Sequence, residues 1–177
     1  MNEAAPHGGE AVTFTLPGKG IAVSGLFLDT RGRVLLLSRT YAAGWVLPGG
    51  IVEAGESLRA GFRREVCEEL GLSRIPGRML CLDWIPARDR PGMADRLVVV
   101  FDGGLLSAAD VASIRLPEDE IGACRFASKQ ELDNLPDHPA YARLRACMTA
   151  LADDSTLYLE RGALCSDQGS VERAPCP

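Results

Sequence analysis

The stretch at residues 50–72, which reads GIVEAGESLRAGFRREVCEELGL, decides the fold of this chain. Residues 57–70 contain no proline, and their apolar side chains recur every four positions, which predicts an amphipathic helix. Ser57 or Glu56 can open the helix, because an oxygen acceptor satisfies free backbone amides at its positive end. Gly71 is placed to end it, since glycine readily takes the left-handed conformation that follows a helix.

Three carboxylates fall on one side of this helix, because Glu65, Glu68 and Glu69 stand at positions i, i+3 and i+4. Like charges at i and i+4 repel each other by roughly 0.2–0.5 kcal/mol per pair even on an exposed helix. Arg64 can offset part of this repulsion. A hard divalent cation would offset more of it, since all-oxygen sites suit magnesium or manganese. A plain solvated helix face is the other interpretation of the charges alone.

The spacing across the whole stretch resembles the Nudix box of the Nudix hydrolases at every fixed position. Gly50 is followed after five residues by Glu56 and, after seven more, by the run REVCEELGL at residues 64–72. The preceding segment, WVLPGG at residues 45–50, also resembles the usual approach to the box. Gly61 departs from the many family members that have alanine there, and it loosens the helix by about 1 kcal/mol at most.

The resemblance implies a metal site made of oxygen ligands. Glu65, Glu68 and Glu69 would bind Mg2+, with Mn2+ as the alternative ion, and one of the three would serve as general base for the attacking water. The backbone carbonyl of Gly49 would be a further ligand. Family members often recruit another acidic residue from beyond the box, and Glu120 is favoured here because it directly precedes a predicted strand. A solvated acidic loop is the other explanation for Glu120 and its two acidic neighbours.

Two residues of the motif are expected to support the others. Arg64 and Glu56 would form a buried or half-buried ion pair that holds the loop against the helix and completes the catalytic motif. This role is close to a purely structural one. Cys67, inside the same motif, is interpreted as a small helix residue and not as a nucleophile.

Substrate contacts are less specified by the sequence. Trp45 and Trp84 could stack on a nucleobase, but a tryptophan beside a strand also serves to pack the core or its rim. Arg88, Arg90 and Arg96 could reach phosphates from the loop that follows Trp84. An exposed loop explains these three arginines equally well.

The rest of the chain is predicted to form strands and short helices around the motif. Strands are predicted at residues 20–29, 34–38, 78–84 and 96–101, with shorter extended pieces at 11–16, 45–47, 124–126 and, as a final edge strand, 156–159. A turn is predicted at residues 102–104, a short helix or irregular loop at 107–114, a capping box at Ser128 and Glu131, and a last helix at 138–151. This order indicates an α+β or α/β architecture. The resemblance implies the Nudix fold, in which helices flank a mixed sheet.

Length and composition favour one globular domain. The 177 residues divide into a leader or first strand at 1–17, a Nudix domain at 18–153, and an extension at 154–177 with a short strand and a disordered tail. The net charge of −5 argues against a nucleic-acid surface. No apolar run could span a membrane, and six scattered cysteines with only two histidines argue against structural zinc. A cytoplasmic location with reduced thiols is expected.

Together these features predict a metal-dependent hydrolase that cleaves the diphosphate linkage of a nucleoside diphosphate derivative. Nucleotide sugars, ADP-ribose-like compounds, dinucleotides and nucleoside triphosphates all fit this class. A catalytically silent nucleotide-sensing module is the main alternative, although such modules usually have a degraded box, and an acidic helix without a ligand is the third. The resemblance is compatible with a homodimer, which the sequence itself does not show.

Overall fold

The computed structural model describes residues 18–89 and 94–165 of the chain. Eight strands and four α-helices follow one another as β1 (Gly20–Asp29), β2 (Val34–Arg39), β3 (Gly49–Ile51), α1 (Leu58–Leu70), β4 (Met79–Ile85), β5 (Arg96–Leu106), α2 (Ala108–Ser113), β6 (Ile121–Ala127), α3 (Lys129–Asp133), α4 (Pro139–Ala152), β7 (Leu157–Glu160) and β8 (Ala163–Leu164). A short 3-10 turn (Ala87–Asp89) follows β4. The predicted strand at residues 11–16 and the predicted disordered tail lie outside the described residues.

All eight strands belong to one mixed sheet, in the order β6-β2-β1-β5-β4-β7-β8, with β3 paired to β1 off this path. The pair β1–β5 is parallel, as is β4–β7, whereas β1–β2, β2–β6, β4–β5 and β7–β8 are antiparallel. The two predicted strands at residues 20–29 and 34–38 therefore form a hairpin of β1 and β2. The mixed sheet with helices on both faces confirms the fold class expected from the sequence.

Two separate apolar cores cover the two faces of the sheet. On one face, α1 packs Phe62, Val66 and Leu70 against strand residues such as Val23 and Phe27. On the other face, α4 packs its own apolar residues against the alternate strand positions, among them Leu144, Cys147 and Ala150. This division follows from the period-2 alternation of a strand, which sends successive side chains to opposite faces.

Two predicted boundaries were wrong in the middle of the chain. The turn predicted at residues 102–104 does not occur, because β5 continues to Leu106 through a bulge that pairs Asp102 with Leu26 and Gly104 with Phe27. The bulge absorbs one extra residue, Gly103, without ending the strand. The extended piece at residues 45–47 forms only a single bridge, from Val46 to Leu37. The strand itself, β3, begins after Pro48 and not before it.

Side-chain caps and strand pairing determine the elements that follow β5. Residues 107–114 form a helix, because Ser107 and Asp110 make a reciprocal capping box. The capping box predicted at Ser128 and Glu131 is confirmed. The strand predicted as the sheet edge, β7, pairs with both β4 and β8, so that β8 is the edge. The C-terminal hairpin is thus an integral part of the central sheet.

Candidate active site

The helix α1 begins and ends where its sequence predicts. The Ser57 side chain accepts a hydrogen bond from the amide of Ala60 at 3.2 Å. At the other end, Gly71 has a φ of 70° and donates its N–H to the carbonyl of Cys67 at 2.9 Å. The helix packs its apolar stripe on the sheet, so Glu65 and Glu69 are buried while Glu68 remains exposed. The three carboxylates therefore experience different environments on one helix.

Arg64 holds three of the predicted carboxylates at once. Its Nε and Nη2 donate to the two oxygens of Glu56 at 3.1 and 3.0 Å, while its Nη1 donates to Glu65 at 2.8 Å and to Glu68 at 3.0 Å. Its fifth N–H reaches the carbonyl of Ile51 at 2.9 Å. The guanidinium lowers the pKa of Glu56, and these carboxylates raise the pKa of Arg64. The expected ion pair between Arg64 and Glu56 is present and is half-buried.

Glu69 is the most enclosed member of the acidic cluster, with 1% of its surface exposed. Its Oε2 accepts the amide of Gly49 at 2.6 Å, and its Oε1 lies 3.3 Å from Nη2 of Arg39. Burial raises the pKa of Glu69 to about 7, although the Gly49 amide and the Arg39 charge both favour its ionised form. Within the acidic cluster, Glu69 is therefore the carboxylate whose ionisation costs the most free energy.

Two adjacent glycines leave space for these carboxylates. Gly49 has a φ of 137°, and a Cβ there would overlap the backbone of Val23 on β1. A Cβ on Gly50 would overlap the carboxylate of Glu65. The glycine pair thus lets the peptide of β3 approach both the central strand and the acidic helix. This is a physical reason for glycine at both positions.

Glu65 is influenced electrostatically both by its own helix and by the acidic loop before β6. Burial raises its pKa, Arg64 opposes this shift, and the negative charges of Glu68 and Glu120 add to the increase. Glu120, which is half-buried, therefore acts electrostatically on the box from outside it. Glu65 therefore senses the charges of both Glu68 on the helix and Glu120 in the loop.

Arg39 is a site residue that the sequence analysis missed. It is the last residue of β2, and its Nη2 donates to the carbonyl of Gly49 as well as to Glu69. No pattern in the sequence indicates this role, because Glu69 stands thirty positions away along the chain. The carbonyl of Gly49 that was expected to bind metal therefore accepts a hydrogen bond from Arg39.

The chemistry of these donors fits a hard divalent cation. All of them are oxygens, and those of Glu65 and Glu68 lie within 3.0 Å of a single cationic nitrogen of Arg64. The oxygens of Glu69 and Gly49 likewise share one nitrogen of Arg39. Within the described residues, no three acidic, histidine or cysteine side chains are arranged to hold an ion without rearrangement. Two arginines balance the charge of the cluster in this conformation.

A cavity of about 370 Å³ opens beside the glycine pair on the α4 face of the sheet. Among the described residues, its lining has three arginines and three aromatic residues but no carboxylate, and consists of Ala22, Ser24, Arg39, Tyr41, Trp45, Val46, Leu47, Gly49, Gly50, Ile51, Arg96, Val98, Ala140, Tyr141, Arg143 and Leu144. Arg39, Gly49 and Gly50 belong both to this wall and to the acidic cluster. An anionic ligand in the cavity would therefore lie next to the acidic cluster.

The candidate substrate contacts are distributed unevenly. Trp45 and Arg96 line the cavity, whereas Trp84 and Arg88 do not. The guanidinium of Arg125 lies 4.6 Å from the centre of the Trp45 ring, and the Trp45 amide donates to the Tyr141 hydroxyl at 3.1 Å. Arg90 lies outside the described residues. The sequence analysis did not identify Tyr41, Tyr141 or Arg143 as lining residues.

Comparisons with known proteins identify the family of this chain. The NUDIX domain pattern matches residues 18–147, which is most of the chain. Together with this match, the fold and the acidic helix define the class of protein as a pyrophosphohydrolase. The chain belongs to the NUDIX family.

Individual relatives resemble the chain over parts of its length. An uncharacterised Nudix hydrolase, YvcI of Bacillus subtilis (strain 168), is 29% identical over 117 residues, covering 66% of this chain and 72% of that protein. An ADP-ribose pyrophosphatase of Methanocaldococcus jannaschii is 34% identical over 97 residues, covering 52% of this chain and 57% of that protein. The crystal structure of a MutT protein from Methanosarcina mazei Go1 superposes with a TM-score of 0.63 at 28% identity, covering 79% of this chain and 98% of that one.

The described part of the chain contains no helix long and apolar enough to cross a bilayer.

Proposed function

We propose that this chain is a metal-dependent Nudix hydrolase that cleaves the diphosphate linkage of a nucleoside diphosphate derivative. One observation carries the proposal: the carboxylate cluster of α1 adjoins a cavity that is lined by three arginines and three aromatic residues. Arginine binds phosphate oxygens, and aromatic rings stack on nucleobases. The cavity and the cluster meet at the Gly49–Gly50 peptide, which is therefore the proposed place of cleavage.

In this proposal Glu65, Glu68, Glu69 and the Gly49 carbonyl hold Mg2+ or Mn2+, with Glu120 as an additional acidic contributor. When bound, the ion neutralises the diphosphate and lowers the pKa of a bound water. Arg64 orients the carboxylates of Glu65 and Glu68 through the hydrogen bonds that its Nη1 donates to them.

One carboxylate of the cluster accepts the proton of the attacking water, an effect worth about 10²–10⁴ in rate. Glu65 and Glu69 both have pKa values raised toward the range in which a carboxylate can serve as a base. Arg39 stands between the cluster and the cavity, where its guanidinium can transfer from the Gly49 carbonyl to a substrate phosphate. Proton transfer and phosphate binding thus take place on the two sides of one peptide.

The cavity and the relatives support the proposed substrate class. The curated relative from Methanocaldococcus jannaschii is an ADP-ribose pyrophosphatase, and its name supports a nucleoside diphosphate linked to a sugar. Trp45 and the two tyrosines offer aromatic surface for a nucleobase. An ADP-ribose-like compound or a nucleotide sugar is therefore the first group to assay, before dinucleotides and nucleoside triphosphates.

A substrate panel with magnesium tests the proposal. Hydrolysis of at least one diphosphate compound is expected, with products identified by mass spectrometry, and chelation should abolish it. Glu69→Gln should lower kcat by at least a hundredfold, whereas Glu160→Gln, an exposed change on β7, should have no effect. Full activity of Glu69→Gln, or activity that survives chelation, contradicts the mechanism. Tight nucleotide binding without turnover across the panel supports the sensing module instead.

A further inference from the structure

Arg143 lines the cavity on the side away from the acidic helix and is the candidate for a second anchoring point of the substrate. We infer that Arg143, oriented by the buried carboxylate of Asp83, binds an additional oxyanion on the substrate moiety remote from the diphosphate. This oxyanion is a phosphate ester or a carboxylate. The inference rests on the proposed function, since it concerns the substrate of the same site. Asp83 and Gly162 act only as positioning residues in it.

The charge distribution of the cavity favours a substrate with more than one anionic group. The chain has a net charge of −5, yet the part of the cavity lining that the structure describes contains Arg39, Arg96 and Arg143 and no acidic residue. Arg39 lies beside the acidic cluster and is placed for the diphosphate. A second cationic group on α4 extends the anion-binding lining beyond it.

Arg143 is held in place by a fully buried carboxylate. Oδ2 of Asp83 lies 2.6 Å from Nη1 of Arg143, and no part of Asp83 is exposed. A buried ion pair adds little net stability, because desolvation of the two charges consumes most of their attraction. It does fix the orientation of the guanidinium. The contact uses one of five N–H donors, so the group retains donors for a ligand in the cavity that it lines.

Asp83, the partner of Arg143, lies three strands across the sheet from β3. A row of paired residues crosses the sheet from Ile51 on β3 through Ala22 and Val98 to Asp83 on β4. Three strand spacings of about 4.8 Å place the ends of this row roughly 14 Å apart. The two phosphorus atoms of a diphosphate share a single bridging oxygen and cannot span this distance. With the linkage at Gly49, Arg143 therefore meets another part of the substrate.

The C-terminal hairpin fixes the beginning of α4, which carries Arg143. The turn between β7 and β8 contains Gly162, whose amide donates to Oδ1 of Asp83 at 3.0 Å. Gly162 has a φ of 79°, and a Cβ there would overlap the carbonyl of Pro139 and lie 2.9 Å from the amide of Arg143. Asp83 thus connects the hairpin and the helix through its two oxygens. The hairpin lies beyond the residues that the family pattern matches.

Matched substrate pairs test this inference. We expect kcat/KM to favour the member with the extra oxyanion at least about tenfold in one or more of three pairs, since one charged hydrogen bond has an effect of that order. The pairs are NADPH with NADH, coenzyme A with dephospho-coenzyme A, and UDP-glucuronate with UDP-glucose. Arg143→Met should reduce the preference ratio to about 1, and Arg143→Lys should restore part of it. Asp83→Asn should reduce the ratio to an intermediate value.

Arg145→Met is the matched control, because Arg145 lies on the same helix, donates to the carbonyl of Leu132 and does not line the cavity. It should keep the wild-type ratio. If Arg143→Met fails to fold, the double variant Asp83→Asn/Arg143→Met removes both buried charges and should again give a ratio of about 1. Equal kcat/KM within all three pairs, or a preference that persists without Arg143, overturns the inference.

A thermal-shift measurement without metal separates this inference from the proposed hydrolysis. If no compound is hydrolysed, the proposed function has failed. A larger melting-temperature shift with the extra-oxyanion members, abolished by Arg143→Met, still supports the second anchoring point. Hydrolysis without any pair preference has the opposite meaning, because it supports the enzyme and contradicts the role of Arg143.

Discussion

Glu69 is the residue at which burial and function oppose each other most directly. Its pKa of about 7 lies above the ordinary value of 4.5, so the folded protein binds a proton there more tightly than the unfolded chain. The contribution of Glu69 to stability is therefore full below pH 4.5 and is lost as the pH rises to 7. For the metal-free protein, we expect this loss to be roughly 3 kcal/mol.

Urea denaturation of wild type and Glu69→Gln across pH 4–8 measures this effect. The difference in unfolding free energy should change over the interval from 4.5 to 7, because glutamine does not titrate. Adding Mg2+ should reduce the loss, since a cation stabilises the ionised carboxylate. A difference that is constant across the pH range would show that Glu69 has an ordinary pKa.

Arg64 supports the site through contacts that no other side chain can replace. Arg64→Met removes five hydrogen bonds and leaves the half-buried Glu56 and the buried Glu65 without their cation. We expect a loss of about 2–3 kcal/mol in unfolding free energy, because unpaired carboxylates keep their desolvation cost. Arg63→Met, an exposed change one residue away, should cost less than about 0.5 kcal/mol. Equal effects of the two variants would contradict the network.

The sequence predicts residues of the site only where local spacing determines the contact. Glu56 and Arg64 are eight residues apart within the motif, so the spacing of the motif identifies them as a pair. Arg39 and Arg143 reach their partners, Glu69 and Asp83, only after the sheet has assembled. No local pattern encodes contacts of that kind, and an arginine at a strand end or on a helix is otherwise a common surface residue.

Among the elements, β5 shows how a glycine pair can continue a strand. The bulge places Gly103 against the ring of Phe27, where a Cβ would lie 2.6 Å from ring atoms. Gly103→Ala is expected to destabilise the protein by about 1–3 kcal/mol, because the well-packed Phe27 cannot move away. Gly122→Ala, on β6, has no contact closer than 3.7 Å and should be nearly neutral. Thermal unfolding of both variants makes the comparison.

The wrong prediction of a turn at residues 102–104 has the same origin. An Asp-Gly-Gly sequence is a strong turn signal when the following residues are free to reverse direction. Here the extra residue is accommodated by the parallel partner β1, whose register shifts between Leu26 and Phe27. The pairing that decides between a turn and a bulge involves a strand far away in sequence. By contrast, α1 was predicted closely because its caps and apolar stripe are local.

For the whole molecule, metal binding should appear as a gain in stability. The acidic cluster has its arrangement only in the folded chain, so the proposed Mg2+ site predicts binding to the folded state in preference to the unfolded one. At a concentration a hundredfold above Kd, the gain is about 2.7 kcal/mol. Differential scanning calorimetry with and without Mg2+ should show a higher Tm with the ion. Glu68→Gln should shrink this increase, and an unchanged Tm in the wild type would argue against a metal site.

The parallel pairing of β1 with β5 also affects how the chain folds. Gly20 pairs with Arg96 and Asp29 with Leu106, so the centre of the sheet closes only when two distant segments meet. Non-local pairing slows folding, because the entropy of loop closure is lost before the contacts compensate for it. During synthesis, the acidic helix leaves the ribosome well before β5 does. The nascent chain therefore contains all the box carboxylates for a period in which the completed sheet beneath them does not yet exist.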